Sequence, residues 1–561
     1  MKWKKLSPVP PEHLSRFPDG IHPLLVQLFY NRGITDPQEA ERFLAADKRL
    51  VHDPYLLPGM AKAVARIKRA VLNGEAIAVY GDFDADGVTA SALMVQGIQR
   101  IGGKVIPYIP HRVDEGHGLN IPALRELRGM GISLVVTVDC GITAVAEAEE
   151  ARKLGIELII TDHHEVVGPV PQAFVVMDPK IAGSTYPFRE LAGVGVAYKL
   201  IEALFRDMGR GPEVESYLDL VAVGTVADMV PLLGENRYLV KRGIEILNRT
   251  ERLGLLAIID CAGRESGQLD ADSISFVLAP RLNAAGRMDH ASISYDLLMA
   301  DTIDKAWKLA QHLETRNAER QKLTNQFAAI AEEQLAPLLP DAPLLIAADT
   351  EFRAGINGVV AGKLADKYYR PAVVLEVGEK ESMGSGRSIP EFNMVAAFVE
   401  CADLLLHFGG HAQAAGFAVL NENIEALRQR LIGIARRELA GVELQPTIRI
   451  DAEIPLSSLG MPTLNILKQM EPCGQANPVP TFLSRAVRVL DYRSVGNDGE
   501  HLKLRLADQG VTWDAIGFGL NHHAREPIPP LVDIVYRLKL NRWRGQETLQ
   551  LEVFDFVPSA L

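Results

Sequence analysis

Three carboxylates stand at alternate positions in AVYGDFDADGVTA, residues 78–90: Asp82, Asp84 and Asp86, directly after an apolar run and before Gly87. Unpaired carboxylates lose several kcal/mol on desolvation, so this triplet is not a core element. It either recruits a cation or stays a solvated Asx-rich turn. A calcium loop of the D-x-D-x-D-G type fails on spacing. Its twelfth position, which needs a bidentate Glu, is Leu93, and the preceding run reads as strand rather than helix.

Further groups of the same chemistry follow. LVVTVDCG carries Asp139, IELIITDHHE carries Asp162, His163 and His164, and VAVGTVADMVPL carries Asp228. Each follows an apolar run, and helix-like segments such as ASALMVQGIQRIG and TAVAEAEEARKLG alternate with the runs. That alternation predicts a parallel sheet with crossover helices. In such sheets functional groups collect at the carboxyl ends of the strands, so the clusters should converge on one rim. Carboxylates mixed with imidazole suit manganese, zinc or iron, whereas calcium and magnesium prefer oxygen alone. More than four carboxylates with one or two histidines exceed the needs of a single ion. Two ions about 3.5–4 Å apart, sharing a bridging Asp, are the usual arrangement for phosphoester hydrolysis. A lone His is more often a cap or core residue, but an adjacent pair after Asp at a strand end is seldom structural.

GDFDADG, VDCG, TDHHE and Asp228 resemble the successive motifs of the DHH phosphoesterase superfamily. RLNAAGR (Arg281 to Arg287), GSGRS (Gly384 to Ser388) and FGGHAQAAGF (Phe408 to Phe417) resemble the RecJ family of single-strand-specific 5′→3′ exonucleases. The motifs run in the expected order from about residue 50 onward. The resemblance implies a nuclease that removes nucleotides from the 5′ end of single-stranded DNA with two divalent ions, Mn²⁺ or Mg²⁺. Asp84, Asp86, Asp139, His163 and Asp228 are the expected ligands, with Asp82 and His164 as ligands or as groups that orient them; Asp139, His163 and His164 stand closest to the chemistry. Arg112, Arg281, Asn283, Arg287, Ser385, Arg387 and His411 are expected to hold substrate phosphates, a 5′-terminal phosphate setting polarity. The chain departs from the family pattern twice. Pro472-Cys473-Gly474-Gln475-Ala476-Asn477-Pro478 stands where P-F-G-x-G-N-P is usual, and Gly362-Lys363 stands where Ser-Arg is usual.

The elements that must position these groups read as five segments. Residues 1–50 carry helix-start signals in PPEHLSRFP and DPQEAERFL, and residues 51–300 hold the metal-binding α/β unit. From 301 to 336 there is neither Gly nor Pro, which predicts one helix about 50 Å long, or two shorter ones. Residues 341–440 form a second α/β unit, in which small residues around Arg387 and His411 would let Gly-rich turns cradle an anion. GVGVAYKL, residues 193–200, lacks the third Gly of a dinucleotide fingerprint and reads as helix-start packing. Residues 446–561 alternate in short runs between Gly, Asn and Pro turns, the pattern of a small β-barrel. HLKLRL and YRLKLNRWR offer either a solvated strand face or a single-strand grip; the resemblance, which implies an OB-type barrel, favours the grip. Arg542, Trp543 and Arg544 are its candidate platform. The expected fold is therefore α/β: a parallel-sheet DHH domain joined by a long helix to a second α/β domain, with a C-terminal OB-type barrel.

Composition bounds the rest. The 561 residues are 47% hydrophobic, and four scattered cysteines give neither a CxxC pair nor a disulfide framework. MKWKKLSPVP starts basic but runs into Ser, Pro and Glu without an apolar core, and no run reaches membrane-spanning length, so the cytoplasm is the expected location. A net charge of −12 excludes a protein that coats DNA over its whole surface but not a local basic groove. Single-stranded DNA is the expected partner, with a helicase and a single-strand-binding protein as further candidates. Two other classes compete: a small-substrate DHH hydrolase acting on oligoribonucleotides, cyclic dinucleotides or pyrophosphate, and a non-catalytic replication scaffold. The extra barrel argues against the first, and the intact set of Asp and His against the second.

Overall fold

The computed structural model describes residues 1–339, 341–496, 499–525, 527–543 and 546–559, without the side chains of residues 525, 542, 543 and 546. The side chains of Arg542 and Trp543, and the whole of Arg544, thus lie outside the described residues. The chain forms two compact units. One comprises His52–Val230 with Arg242–Leu444, the other Met1–Val51 with Pro231–Lys241 and Gln445–Leu561.

The first unit is built on a five-stranded parallel sheet, in the order Lys104–Tyr108, Ala76–Tyr80, Leu134–Val138, Glu157–Thr161, Val175–Met177. Leu134–Val138 is buried throughout, which is why it reads as a continuous apolar run rather than an alternating one. Behind Ala76–Tyr80 the helix Ala85–Arg100 packs against Gly193–Asp207 and Leu218–Ala227, and Gly97 brings it against Ile201. The apolar stretch before Asp228 is this last helix, not the strand its composition suggested. Leu218 to Val226 are all buried, so no polar face breaks the run and helix and strand read alike.

The region from 301 to 336 is one helix, Ile303–Leu335, 33 residues long, started by Thr302, whose hydroxyl accepts from the Lys305 amide. It packs on Leu253–Cys261 and Ala279–Met288 toward its start and on Ala354–Tyr368 and Leu345–Asp349 toward its end. The second sheet is mixed, in the order Leu405–His411, Ala414–Leu420, Glu381–Arg387, Ala372–Glu376, Leu345–Asp349. GSGRS and FGGHAQAAGF therefore lie largely on antiparallel strands, not in the Gly-rich turns the sequence suggested. Their glycines answer to packing: a side chain at Gly384 would strike the Phe417 ring, and one at Gly386 would strike Met394.

The second unit closes a five-stranded barrel from Phe482–Val495, His501–Asp508, Val511–Gly517, Gln546–Pro558 and Leu531–Trp543, the last pairing back on the first. Phe482, Leu504, Trp513, Tyr536 and Leu551 fill its interior and continue into a core with Leu25, Leu28 and Phe29 of the N-terminal segment. That segment, expected to be helical, begins with a strand, Lys2–Lys5, paired in parallel with Thr447–Ile450. In the departing PCGQANP stretch Ala476 takes a φ of 61°, the left-handed region, where the family pattern has glycine.

Arg237 is the polar keystone of this unit. It is fully buried, its guanidinium 3.7 Å from the Phe43 ring centre, and it donates to the carbonyls of Phe43 (2.7 Å), Met470 (3.0 Å), Pro472 (3.2 Å), Gln469 (3.2 Å) and Glu471 (2.8 Å). Burial pulls its pKa down to about 10, still charged at neutral pH. Arg237→Leu strands those carbonyls, and unfolding of the full chain should lose about 3–5 kcal/mol. Arg237→Lys should not restore it, because one ammonium cannot reproduce the planar fork. Denaturant titration checks this; a loss below about 1 kcal/mol would contradict the keystone role.

Candidate active site

The chain leaves Ala76–Tyr80 at Gly81 and turns at once into the helix Ala85–Arg100. Asp84 caps that helix, its carboxylate accepting from the amides of Asp86 (2.9 Å) and Gly87 (3.1 Å). Asp86, buried in the first turn, accepts from the amides of Gly193 (2.6 Å) and Val194 (2.9 Å). GVGVAYKL is thus the helix start its spacing implied, with its first two amides turned on a carboxylate. A side chain at Gly193 would strike Asp139, and one at Gly224 would strike Thr89 and Asp86, so close approach requires glycine at both.

Asp139 follows Leu134–Val138 with φ 63°, and Met229, next to Asp228, has φ 62°. Non-glycine residues held in this region cost about 1–3 kcal/mol each and cluster at functional sites. His163 Nε2 lies 3.1 Å from Asp139 Oδ1, 3.6 Å from Asp228 Oδ2 and 3.9 Å from Asp86 Oδ2. Asp162 stays outside this cluster. It accepts from the amides of Ile142 (2.8 Å) and His163 (2.7 Å) and pairs with His164 Nδ1 at 2.7 Å. Burial works to raise the Asp162 pKa, but the hydrogen bond and charge of His164 outweigh it and hold the carboxyl below its ordinary range. With Nδ1 engaged, His164 has Nε2 to offer a ligand.

All seven expected metal residues are brought together. Their potential ligand atoms form three overlapping groups, each within 4.8 Å: Asp82 with Asp84 and Asp139; Asp139 with His163 and His164; Asp86 with His163 and Asp228. Asp139 and His163 each belong to two groups, and of the two only the Asp139 carboxylate, with two oxygens, has the chemistry to bridge two centres. Burial, then the neighbouring carboxylates, pushes Asp86 up to about 7 and Asp139 and Asp228 well above their ordinary range. Burial and then His164 push His163 down to about 3. Among the described residues, Asp139 Oδ1 and both ring nitrogens of His163 are buried without a hydrogen-bond partner. Crowded carboxylates and orphaned lone pairs are what divalent cations satisfy, so the donor set fits two of them.

A basic group faces this acidic one. Arg112 lies 4.0 Å over the Phe83 ring with Nε buried and, among the described residues, without a hydrogen-bond partner, and its pKa is lowered by burial against the pull of Asp82 and Asp84. Arg287 donates to the Gly355 carbonyl (3.2 Å); burial, then Arg112, Arg387 and Arg320, brings it down to about 9, and the charge of Asp84 reaches it too. Arg387 donates to the Gly386 carbonyl (2.8 Å) and to Ser385 Oγ (3.2 Å). Gly358 gives it room, since a side chain there would come within 2.7 Å of the guanidinium. At the departing pair, Gly362 lies under the Arg387 stem and Lys363 ties to Asn325 of the long helix at 2.9 Å. His411 belongs to the same group, its pKa lowered by burial and then by Arg387 and His164.

Two further expected phosphate holders make hydrogen bonds within the protein. Arg281 is bridged to Glu314 (2.5 and 3.2 Å) and donates to the Val277 carbonyl (2.9 Å). Asn283 accepts from the Ala85 amide (2.8 Å), bracing the aspartate turn. Conversely, two residues escaped the sequence reading. Arg320, on the long helix, donates to Asn317 (2.9 Å) and keeps Nε buried and, among the described residues, without a hydrogen-bond partner, yet in RNAERQ it looks like any solvated helix charge. His117 sits 3.1 Å from Asp82, whose charge is the chief cause pushing it up to about 9. Its glycine-flanked setting, EGHGLN, was the signal available.

Three family descriptions cover most of this architecture: DHH family, N-terminal domain, at residues 76–225; DHHA1 domain at 341–437; RecJ OB domain at 450–555. The single-stranded-DNA-specific exonuclease RecJ of Bacillus subtilis (strain 168) is 38% identical over 538 residues, covering 95% of this chain and 68% of that protein. RecJ of Dickeya dadantii (strain 3937) is 34% identical over 574 residues, covering 97% of each. The crystal structure of Thermus thermophilus RecJ in complex with Mn²⁺ matches with a TM-score of 0.85 at 30% identity, covering 100% of this chain and 80% of that one. The Mg²⁺ complex of the same protein matches at 0.79 and 29%, covering 100% and 79%. Identity of 34% over 97% of both chains, with all three domain descriptions matched in order, assigns the chain: it belongs to the RecJ family of single-stranded-DNA-specific exonucleases.

Proposed function

We propose that this protein degrades single-stranded DNA from the 5′ end to mononucleotides, using two divalent ions, Mn²⁺ or Mg²⁺. The observation that carries the reading is the juxtaposition of the Asp–His cluster with the arginine group: Arg112 lies over Phe83, between Asp82 and Asp84, and Gly286, next to Arg287, packs against the Phe83 carbonyl. Asp84, Asp86, Asp139, His163 and Asp228 hold the ions, with Asp82 and His164 completing or orienting the set. When bound, such ions polarise the scissile phosphate and lower the pKa of a bound water, so that hydroxide is available at neutral pH. Arg287, Arg387, Ser385, Arg112 and His411, with Arg320 behind them, hold phosphates. A doubly charged terminal phosphate is the group that a pocket of several buried guanidiniums favours most. Gripping it fixes which end enters and which bond lies at the metals. Net charge is no obstacle, because the positive charge is concentrated where the backbone must sit.

Digesting a long single strand beside a dinucleotide, with Mn²⁺ or with chelator, tests this against the small-substrate reading. Rapid release of mononucleotides from the long strand, silenced by chelator, is expected. Preference for the dinucleotide would overturn it. A duplex offers no free strand until it opens, so a helicase and a single-strand-binding protein in the cytoplasm are the protein partners of this reading. Blunt duplex should be degraded only when a helicase is added. Among the described residues no helix is long and apolar enough to cross a membrane.

The barrel supplies the second grip. Arg493 and Lys503 are cross-strand partners that point away from the interior filled by Leu502, Leu504 and Leu506. Deleting the barrel is no clean test, since it shares its core with the N-terminal segment and Arg237. In full-length protein, Arg493→Ala with Lys503→Ala should weaken binding of long strands and flatten the salt slope by about 0.7 per lost phosphate contact. Affinity against salt concentration is the measurement; an unchanged slope would leave that face a solvated one.

A further inference from the structure

The three aspartates of residues 82–86 are not held alike. Asp84 and Asp86 are each fixed by two backbone amides at a helix start. Asp82 is 3% exposed and, among the described residues, has one side chain hydrogen-bonded to its carboxylate: His117, with Nδ1 at 3.1 Å from Oδ1. The other side of that imidazole is open, the side chain being 55% exposed.

The loop is built to deliver this ring. His117 stands between Gly116 (φ 79°) and Gly118 (φ 86°), two left-handed positions that glycine adopts without strain. Both flanks are braced. Tyr80 donates to the Gly118 carbonyl (2.9 Å) and accepts from Asn120 (3.0 Å), while Glu115 accepts from Tyr108 (2.8 Å), the His111 amide (2.7 Å) and Asn120 (3.2 Å). The ring is set edge-on between Phe83, at 5.9 Å and 72°, and His164, at 5.6 Å and 74°. The ring thus meets an aromatic neighbour on two sides while its outer edge is open.

We propose that His117 is a positioning residue, which through its Nδ1–H fixes the Asp82 carboxylate and so sets the affinity of the metal centre without touching the reacting atoms. This rests on the metal reading above. Outer hydrogen-bond partners of metal ligands commonly contribute ten- to a hundredfold in affinity, because a carboxylate free to swing spends less time on the ion.

The test is titration of full-length protein with Mn²⁺ alone, following free Mn²⁺ by electron paramagnetic resonance. His117→Phe keeps the ring packing and loses the donor; His117→Asn places an N–H near the position of Nδ1. Phe should weaken Mn²⁺ binding about ten- to a hundredfold, and Asn should stay within about threefold of wild type. The Mn²⁺ concentration for half-maximal cleavage should shift by the same factors. Unchanged binding in the Phe variant, or equal losses in both, would overturn the positioning role. Wild-type protein that takes up no Mn²⁺ would instead overturn the metal reading, and this inference with it.

Discussion

Asp139→Asn should stop cleavage while leaving single-strand binding near wild type. Asp139 is shared by two of the three ligand groups, so its loss disturbs both metal positions at once. A single preorganised electrostatic contact is already worth about 10²–10³ in rate, so turnover should fall by more than about a thousandfold. Asn is the informative replacement because it keeps the shape and tolerates the φ of 63° that Ala would resist. Stability in chelator should not fall, since the carboxylate removed is pressed by Asp86, Asp84, Asp228 and Asp82. Gel-based turnover and strand affinity measured on the same preparation check this. Turnover near wild type would remove Asp139 from the centre and with it the two-metal assignment.

Arg387→Ala should erase the preference for a 5′-phosphorylated strand. Arg387 lies in a group of guanidiniums whose own pKa values are lowered by burial and mutual repulsion, a state that a phosphate dianion relieves. Charge-assisted hydrogen bonds contribute about 1.5–3 kcal/mol, so kcat/KM on the phosphorylated strand should fall about ten- to a hundredfold. The 5′-hydroxyl strand, which never makes this contact, should lose much less. Arg387→Lys should not rescue, because the guanidinium already uses part of its fork on Gly386 and Ser385 and a point charge cannot divide itself so. Equal losses on the two strands would place the terminal phosphate elsewhere.

What was legible in the sequence follows from locality. Asp82, Asp139 and His163 announce themselves because strand ends in a parallel sheet put polar chemistry straight after apolar runs, and the long helix shows as a stretch without Gly or Pro. Asp228 was found for the right chemistry on the wrong element, because a helix buried on all sides has no periodicity to betray it. The glycines of GSGRS were read as turn formers because strand and turn both employ glycine, and only the Phe417 and Met394 contacts decide between them. The surroundings of Arg281 and Arg320 are invisible in one dimension. Which arginine is bridged to Glu314 and which is tied to Asn317 depends on how the long helix lies against Ala279–Met288. His117 reaches Asp82 across a loop, a contact that spacing alone does not encode.

On the proposed reading, two metals cut at a bond whose position is set by a gripped 5′ end. A time course on one single-stranded oligonucleotide, labelled at the 5′ end in one sample and the 3′ end in the other, tests it most directly, with Mn²⁺, Mg²⁺ or chelator present. The 5′ label should be released at once as a mononucleotide, the 3′-labelled strand should shorten only progressively, and chelator should halt both. Early release of the 3′ label, or cleavage that continues in chelator, would contradict it.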